Sequence, residues 1–272
     1  MIRASATAKI NLALVVGPIR PDGKHEVATV LQRIDLADRL ELRPSATLQI
    51  EGFASDTLVR RALESVAQEA RVPSAWHARI EKKIPVAAGL GGGSADAAAA
   101  LRLASEALDS PLDGSVVHRL ACALGADVPF FLADGPQLGT GNGTDLTALE
   151  LPQDFWIVLV LPNDVLKAST GAVYAQFDAR SGADGFAARR DELLAALARV
   201  TRAADLAALP RNDLASSPFA DDLLALGAFR ADVSGAGPAV YGLFARERDA
   251  AHAAASLRRS GRTWITAPAW YG

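Results

Sequence analysis

Through the first fifty residues apolar and polar positions alternate with a period of two, the mark of half-buried strands. AKINLALVV (8–16) and EVATVLQRIDL (26–36) are predicted to pair as antiparallel strands across GPIRPDGKH, whose Pro-Asp-Gly favours a tight turn. ADRLELRP and TLQIEGF are expected to continue the meander. DTLVRRALESVAQEA then takes helical spacing, with Asp56 placed as its N-cap. WHARIEKKI alternates again as a strand and leads into IPVAAGLGGGSADAAAALRLASEAL. Two helices are predicted beyond the glycines, from Ala95 to Leu108 and from Gly114 to Leu124, with Gly125 where a C-cap glycine belongs.

DVPFFLADG and GTGNGTDLTAL lead to FWIVLVLP, a buried-strand pattern, and near residue 150 the character changes. The remainder of the chain reads as two helices, then DVSGAGPAVYGLFA with SGAGP as a hairpin loop, a helix over RDAAHAAASLRRS, and a last strand in TWITAPAW. The stretch from Arg180 to Pro210 reads only as surface helix. The predicted organisation is two α+β halves, 1–150 and 151–272.

Half of the 272 residues are apolar and 22% are charged, the balance of a folded soluble protein. A net charge of −3, from 28 basic and 31 acidic side chains, argues against an extended nucleic-acid surface while leaving room for a local basic pocket. The lone cysteine, Cys122, cannot form an intrachain disulfide and reads as a small buried residue. Lys9 and Asn11 interrupt the apolar start, so it does not read as a secretory signal. The run near FWIVLVLP is far shorter than the roughly 20 residues a membrane helix needs. A cytoplasmic protein is expected, a monomer or weak homodimer, with no nucleic-acid or membrane partner.

Glycine loses the most backbone freedom on folding, so four glycines directly before a helix need a reason. Anion binding supplies one: a helix N-terminus offers unpaired N–H groups and partial positive charge, and glycine lets a phosphate approach them. The plain alternative is a flexible strand-to-helix turn. The only Gly-Lys pair, Gly23-Lys24, precedes histidine, which excludes a Walker A loop. GLGGGSA also fails the dinucleotide fingerprint, and the HRD and DFG elements of protein kinases are absent.

PVAAGLGGGSADAA closely resembles the Pro-x-x-x-Gly-Leu-Gly-x-Gly-Ser-Ser phosphate motif of the GHMP kinases. AKINLAL near the start and VSGAGPAVYGLF near the end match two further motifs of that family in the same order. DGKHEVATVLQRIDLAD and LGADVPFFL resemble one branch, whose members phosphorylate the 2-hydroxyl of a cytidine diphosphate sugar alcohol on the non-mevalonate route to isoprenoid precursors. The resemblance implies a ribosomal-S5-like N-terminal domain, a ferredoxin-like C-terminal domain, and an ATP- and Mg²⁺-dependent small-molecule kinase.

Carried over by position, Asp127 accepts the proton of the attacking hydroxyl and Lys9 sits beside it. Pro85, Val86, Ala87, Ala88, Gly89, Leu90, Gly91, Gly92, Gly93, Ser94 and Ala95 form the ATP phosphate loop. Asn11, His25 and Tyr174 contact the substrate, His25 reading the cytosine and Tyr174 stacking on it. Ser234, Gly235 and Gly237 form the third motif. The Mg²⁺ ligands stay open, with Asp127 and Ser94 nearest by position. In isolation Asp127 reads as a turn aspartate, His25 as an exposed histidine and Tyr174 as core packing. Such residue types suit phosphoryl transfer, where the protein positions groups and stabilises charge.

Lys24 stands where the family has an aromatic before the histidine, and Leu31 where an aromatic is common. Ala87 and Ala88 replace frequent glycines, a change tolerated where φ stays negative. Ala95 replaces a serine and Thr144 a glutamate. A homoserine or mevalonate acceptor, or a silent nucleotide-binding sensor, are the rival functions. A small acid would call for an arginine clamp, and a sensor has no use for the Lys9–Asp127 pair.

Overall fold

A computed structural model describes residues 1–53, 57–163 and 169–269. The chain opens with two long strands, β1 (Ile2–Ile19) and β2 (His25–Pro44), paired antiparallel along nearly their whole length. β3 (Gln49–Glu51), the helix α1 (Thr57–Ala70) and β4 (Trp76–Glu81) come next, then α2 (Gly92–Glu106) and α3 (Gly114–Leu124). β5 (Gln137–Thr140) and β6 (Asp145–Ala148) close the first sheet. β2 is its spine. One edge carries β1, and the other carries β5 beside Thr29–Leu31 and β4 beside Arg39–Pro44.

The second sheet begins with β7 (Trp156–Pro162). Helices α4 (Thr170–Ala179), α5 (Phe186–Leu197) and α6 (Pro218–Ala225) precede the hairpin β8 (Arg230–Val233) and β9 (Val240–Phe244). Helix α7 (Glu247–Leu257) and β10 (Gly261–Thr266) complete it. Its order, β10-β7-β9-β8, is antiparallel throughout, and with helices in the crossovers this is the ferredoxin-like arrangement.

α1 buries Val59, Ala62, Leu63, Val66 and Ala67, the spacing of a single helical stripe. α2 is buried nearly all round, because it lies between β1 and β2 on one side and α1 and α3 on the other. Its alanines allow that close approach. A second core joins the two sheets directly, with Ala8, Ile10 and Leu12 of β1 packing with Ile157, Leu159, Tyr241 and Leu243.

Several elements differ from the sequence expectation. ADRLELRP is no separate strand: no turn residue divides it from Leu36, and β2 passes through a bulge opposite Thr7 and Ala8 and continues. TLQIEGF contributes only β3, which pairs parallel with β4. Asp56, the expected N-cap of α1, lies outside the described residues. Gly125 does cap the C-terminus of α3 as expected, in an extended conformation (φ 172°, ψ 158°). Cys122 is half-buried on the flank of α3, 3.5 Å from His118 Nε2. The region from Arg180 to Pro210 is more than surface. Leu193 is fully buried, and Arg189 reaches the Val16 carbonyl of β1 and the Asp213 carboxylate. α6 is an addition to the expected elements, although Ser217-Pro218 carries its signal: the serine hydroxyl accepts from Phe219 N–H at 3.3 Å, with Pro218 at the first turn.

The two sheets are also pinned by a buried polar chain. Arg230 donates to the Leu206, Leu209 and Pro210 carbonyls and to the Tyr241 hydroxyl, which donates to the Leu12 carbonyl of β1. Tyr241→Phe is expected to cost about 1–3 kcal/mol in urea unfolding, since it strands a buried donor and acceptor. Burial pushes the Tyr241 hydroxyl up to about 12. A raised folded value means that its stabilisation is complete below the unfolded value of about 10 and is lost as pH climbs toward 12. The alkaline fall in stability across that window should be shallower in the variant.

Candidate active site

Lys9 and Asn11 are two apart on β1 and so share a face. A bulge at Leu12, where Asn11 faces Leu31 but Ala13 faces Val30, resets the strand immediately after them. Lys9 Nζ donates to Asn11 Oδ1 at 2.6 Å, Asn11 Nδ2 to Thr29 Oγ1 at 2.8 Å, and Thr29 Oγ1 to the Ala13 carbonyl at 2.8 Å. The lysine is only 3% exposed. Its counter-charge is Asp127, whose Oδ2 stands 3.7 Å away on a side chain 43% exposed. An immobile cation therefore faces a carboxylate still open to the cleft. Asp127 lies in the turn between α3 and a 3₁₀ turn at Pro129–Leu132.

The glycine-rich stretch divides differently from its sequence reading. α2 starts at Gly92, three residues before Ala95, so Gly92, Gly93 and Ser94 form its first turn. Their N–H groups are the unpaired donors of a helix N-terminus. Gly89 (φ +82°) lies so close to the third motif that a Cβ would meet the Ser234 carbonyl at 2.2 Å. At Gly91 (φ +72°) it would meet Phe131 at 2.9 Å and the Lys9 stem at 3.0 Å. Ala87 departs from the expected negative φ. It sits at +61°, a left-handed conformation that costs an L-residue about 1–2 kcal/mol, while its side chain stays exposed. Ser234 Oγ donates to the Gly89 carbonyl at 2.9 Å, and Ala239 N–H to the Ala88 carbonyl at 3.0 Å. The third motif thus braces the loop from the other half of the chain.

Below the loop lies a charged cluster that the sequence reading missed. Lys82 donates to the buried carboxylates of Asp38 and Asp96, the latter at 2.6 Å. Asp38 also accepts from the N–H groups of Lys83 (2.5 Å) and Ile84 (2.8 Å), fixing the chain as it enters the loop. Burial pulls the Lys82 ammonium down, but the two carboxylates outweigh it and the net direction is up. An aspartate inside an alanine run was the available signal.

Two cavities meet at the loop. One, about 400 Å³, is lined by Phe53, Leu58, Lys82 and residues 85–94. The other, about 220 Å³, holds Lys9, Asn11, Thr29, Leu31, Asp127, Tyr174, Gly235 and Gly237. Ala87, Gly89, Gly91 and Thr170 border both. Burial, then the Asp127 charge, pushes the Tyr174 hydroxyl up to about 12. His25 lies at the foot of β2 with its ring 4.7 Å from that of Tyr174, and its side chain is 10% exposed, not the open histidine its turn suggests in isolation. Its Nε2 is 2.8 Å from Asp178 Oδ1, a partner absent from the sequence reading. Asn212, equally unforeseen, donates to the Val233 and Gly235 carbonyls and holds the third motif.

The family model described as "GHMP kinases N terminal domain" matches residues 57–135, and "GHMP kinases C terminal" matches 188–263. The 4-diphosphocytidyl-2-C-methyl-D-erythritol kinase of Pelotomaculum thermopropionicum is 39% identical over 96% of this chain and 95% of its own. A crystal structure of 4-(cytidine 5'-diphospho)-2C-methyl-D-erythritol kinase covers all of both chains at TM-score 0.80 and 32% identity. The chain belongs to this kinase family, within the GHMP kinases. A crystal structure of mevalonate kinase, at TM-score 0.77 but 13% identity over 98% of this chain and 99% of that one, shares the fold alone. The family membership makes the protein an ATP-dependent small-molecule phosphotransferase.

Lys82→Met removes the only cation between two buried carboxylates among the described residues. It is expected to cost about 3–5 kcal/mol in chemical unfolding, the range for breaking one side of a buried ion pair. The mutation should also raise the KM for ATP, because the tie through Lys82 between Asp38, which holds the loop entrance, and Asp96 of α2 is then lost.

Proposed function

We propose that the protein transfers the γ-phosphoryl group of ATP to the 2-hydroxyl of 4-diphosphocytidyl-2-C-methyl-D-erythritol. The observation that carries the reading is the Lys9–Asp127 pair facing the α2 N-terminus across two adjoining cavities. ATP would lie on the loop side, its phosphates against the first-turn N–H groups of α2 and its base toward Phe53 and Leu58. The acceptor would lie on the other side, its cytosine against His25 and Tyr174 and its hydroxyl between Lys9 and Asp127.

Asp127 takes the hydroxyl proton as that oxygen bonds to the γ-phosphorus. The bond from γ-phosphorus to the bridging oxygen breaks, and ADP leaves with that electron pair. Lys9, held by Asn11, stabilises the charge on the transferring group without having to move. Among the described residues no cluster of three or more His, Cys, Asp or Glu could hold a metal. Mg²⁺ is commonly held by one or two carboxylates together with substrate phosphates. Asp127 and Ser94 are the side chains that would hold it, and the ion would supply charge neutralisation on the phosphates. Leu31, buried in the wall of the second cavity, leaves base stacking to the α4 side, where Tyr174 stands.

No helix among the described residues is long and apolar enough to cross a membrane. The cytoplasmic location and the monomeric or weakly dimeric state remain part of the proposal.

ADP release from Mg-ATP should be seen with the cytidine compound and not with homoserine or mevalonate. Asp127→Asn should lower kcat by about 10²–10⁴-fold, the usual contribution of a positioned general base, with the KM for ATP little changed. Turnover of another alcohol would replace the substrate and keep the kinase. ATP binding without turnover of any acceptor would leave only a nucleotide sensor.

A further inference from the structure

The contact between His25 and Asp178 joins the β1–β2 turn to α4 and plays no part in the transfer chemistry. Tyr174, Phe177 and Asp178 occupy positions i, i+3 and i+4 of α4, so they share a flank of that helix. Together they hold the His25 ring on its plane and its edge. The Tyr174 ring is 4.7 Å away and tilted by 34°, and the Phe177 ring is 5.9 Å away and nearly perpendicular at 81°. Asp178 Oδ1 lies 2.8 Å from Nε2. An ionised carboxylate only accepts hydrogen bonds, so the ring carries a proton on Nε2. In the neutral imidazole Nδ1 is then a bare acceptor. Among the described residues no group donates to it.

We propose that Asp178 is a positioning residue that sets the His25 tautomer and so makes the site select a 4-aminopyrimidine. The proposal rests on the proposed function, in which His25 meets the base. Cytosine presents an amino donor at the position where uracil presents a carbonyl acceptor. A bare Nδ1 accepts from the amino group and opposes the lone pairs of the carbonyl. Selection by a group left unpaired against the wrong ligand is the stronger form of discrimination. An asparagine at 178 can instead donate its amide N–H to Nε2. That moves the ring proton to Nδ1 and inverts the preference of the edge offered to the base.

The test compares the wild type with Asp178→Asn and Asp178→Glu, using 4-diphosphocytidyl-2-C-methyl-D-erythritol and its uridine analogue as acceptors. In Asp178→Asn the KM for the cytidine compound should rise about tenfold with kcat nearly unchanged, and the cytidine-over-uridine ratio of kcat/KM should fall by at least about tenfold. Asp178→Glu should recover part of that ratio. Nitrogen NMR of the His25 ring should place the proton on Nε2 in the wild type and remove it from there in Asp178→Asn. Calorimetric binding of CDP against UDP measures the base preference without turnover. A wild type that binds CDP selectively but does not phosphorylate the cytidine compound would sink the proposed function and leave Asp178 its role. A CDP preference untouched in Asp178→Asn would overturn the proposal. So would a wild-type ring protonated on Nδ1 or on both nitrogens, or a loss shared equally by both pyrimidines.

Discussion

A lysine buried to 3% exposure needs compensation, because removing a charge from water is among the most costly steps in folding. Lys9 receives it from one amide oxygen, one half-exposed carboxylate and a relay that ends on the Ala13 carbonyl. That need shapes the surroundings. β1 bulges at Leu12 directly after Lys9 and Asn11, Thr29 of the neighbouring strand accepts from Asn11, and Gly91 must lack a Cβ for the Lys9 stem to pass. A cation so confined has little freedom left to lose when a substrate arrives, which is the physical content of preorganisation.

Much of this was legible in the sequence because it lies in local pattern. The alternating start, the Pro-Asp-Gly turn and the glycines before an alanine-rich helix each have a short-range cause. A lysine in an apolar strand was conspicuous for the same reason. The misses share a different one. Lys82, Asp38, Asp96, Asn212 and Asp178 act largely through partners far away in sequence, and no short window shows a hydrogen bond from residue 38 to residue 83 or from 25 to 178. The continuation of β2 through Leu36 and the parallel pairing of β3 were hidden likewise, since register and neighbour choice are decided by the tertiary core. Ala87 is a local error: its positive φ is imposed on a residue that would not choose it.

On the proposed function the two cavities let one loop serve two ligands. The donor would take the cavity over the helix terminus and the Lys82 cluster, and the acceptor the cavity over the buried ammonium. Gly89 and Gly91 form the narrow rim between them, where any added side chain would collide with backbone or with the Lys9 stem. Distance between reacting atoms is therefore governed by backbone placement, a quantity much stiffer than side-chain rotation.

The bracing of Ala88 and Gly89 by Ser234 and Ala239 places a constraint in time as well as in space. A ribosome delivers the glycine-rich stretch about 145 residues before the serine that holds its carbonyl. During synthesis the first sheet and its helices can form around their own core while the Ala88 and Gly89 carbonyls still lack their Ala239 and Ser234 donors. The nascent chain thus carries a glycine-rich loop whose final shape is withheld until β7 and β8 of the second sheet have emerged.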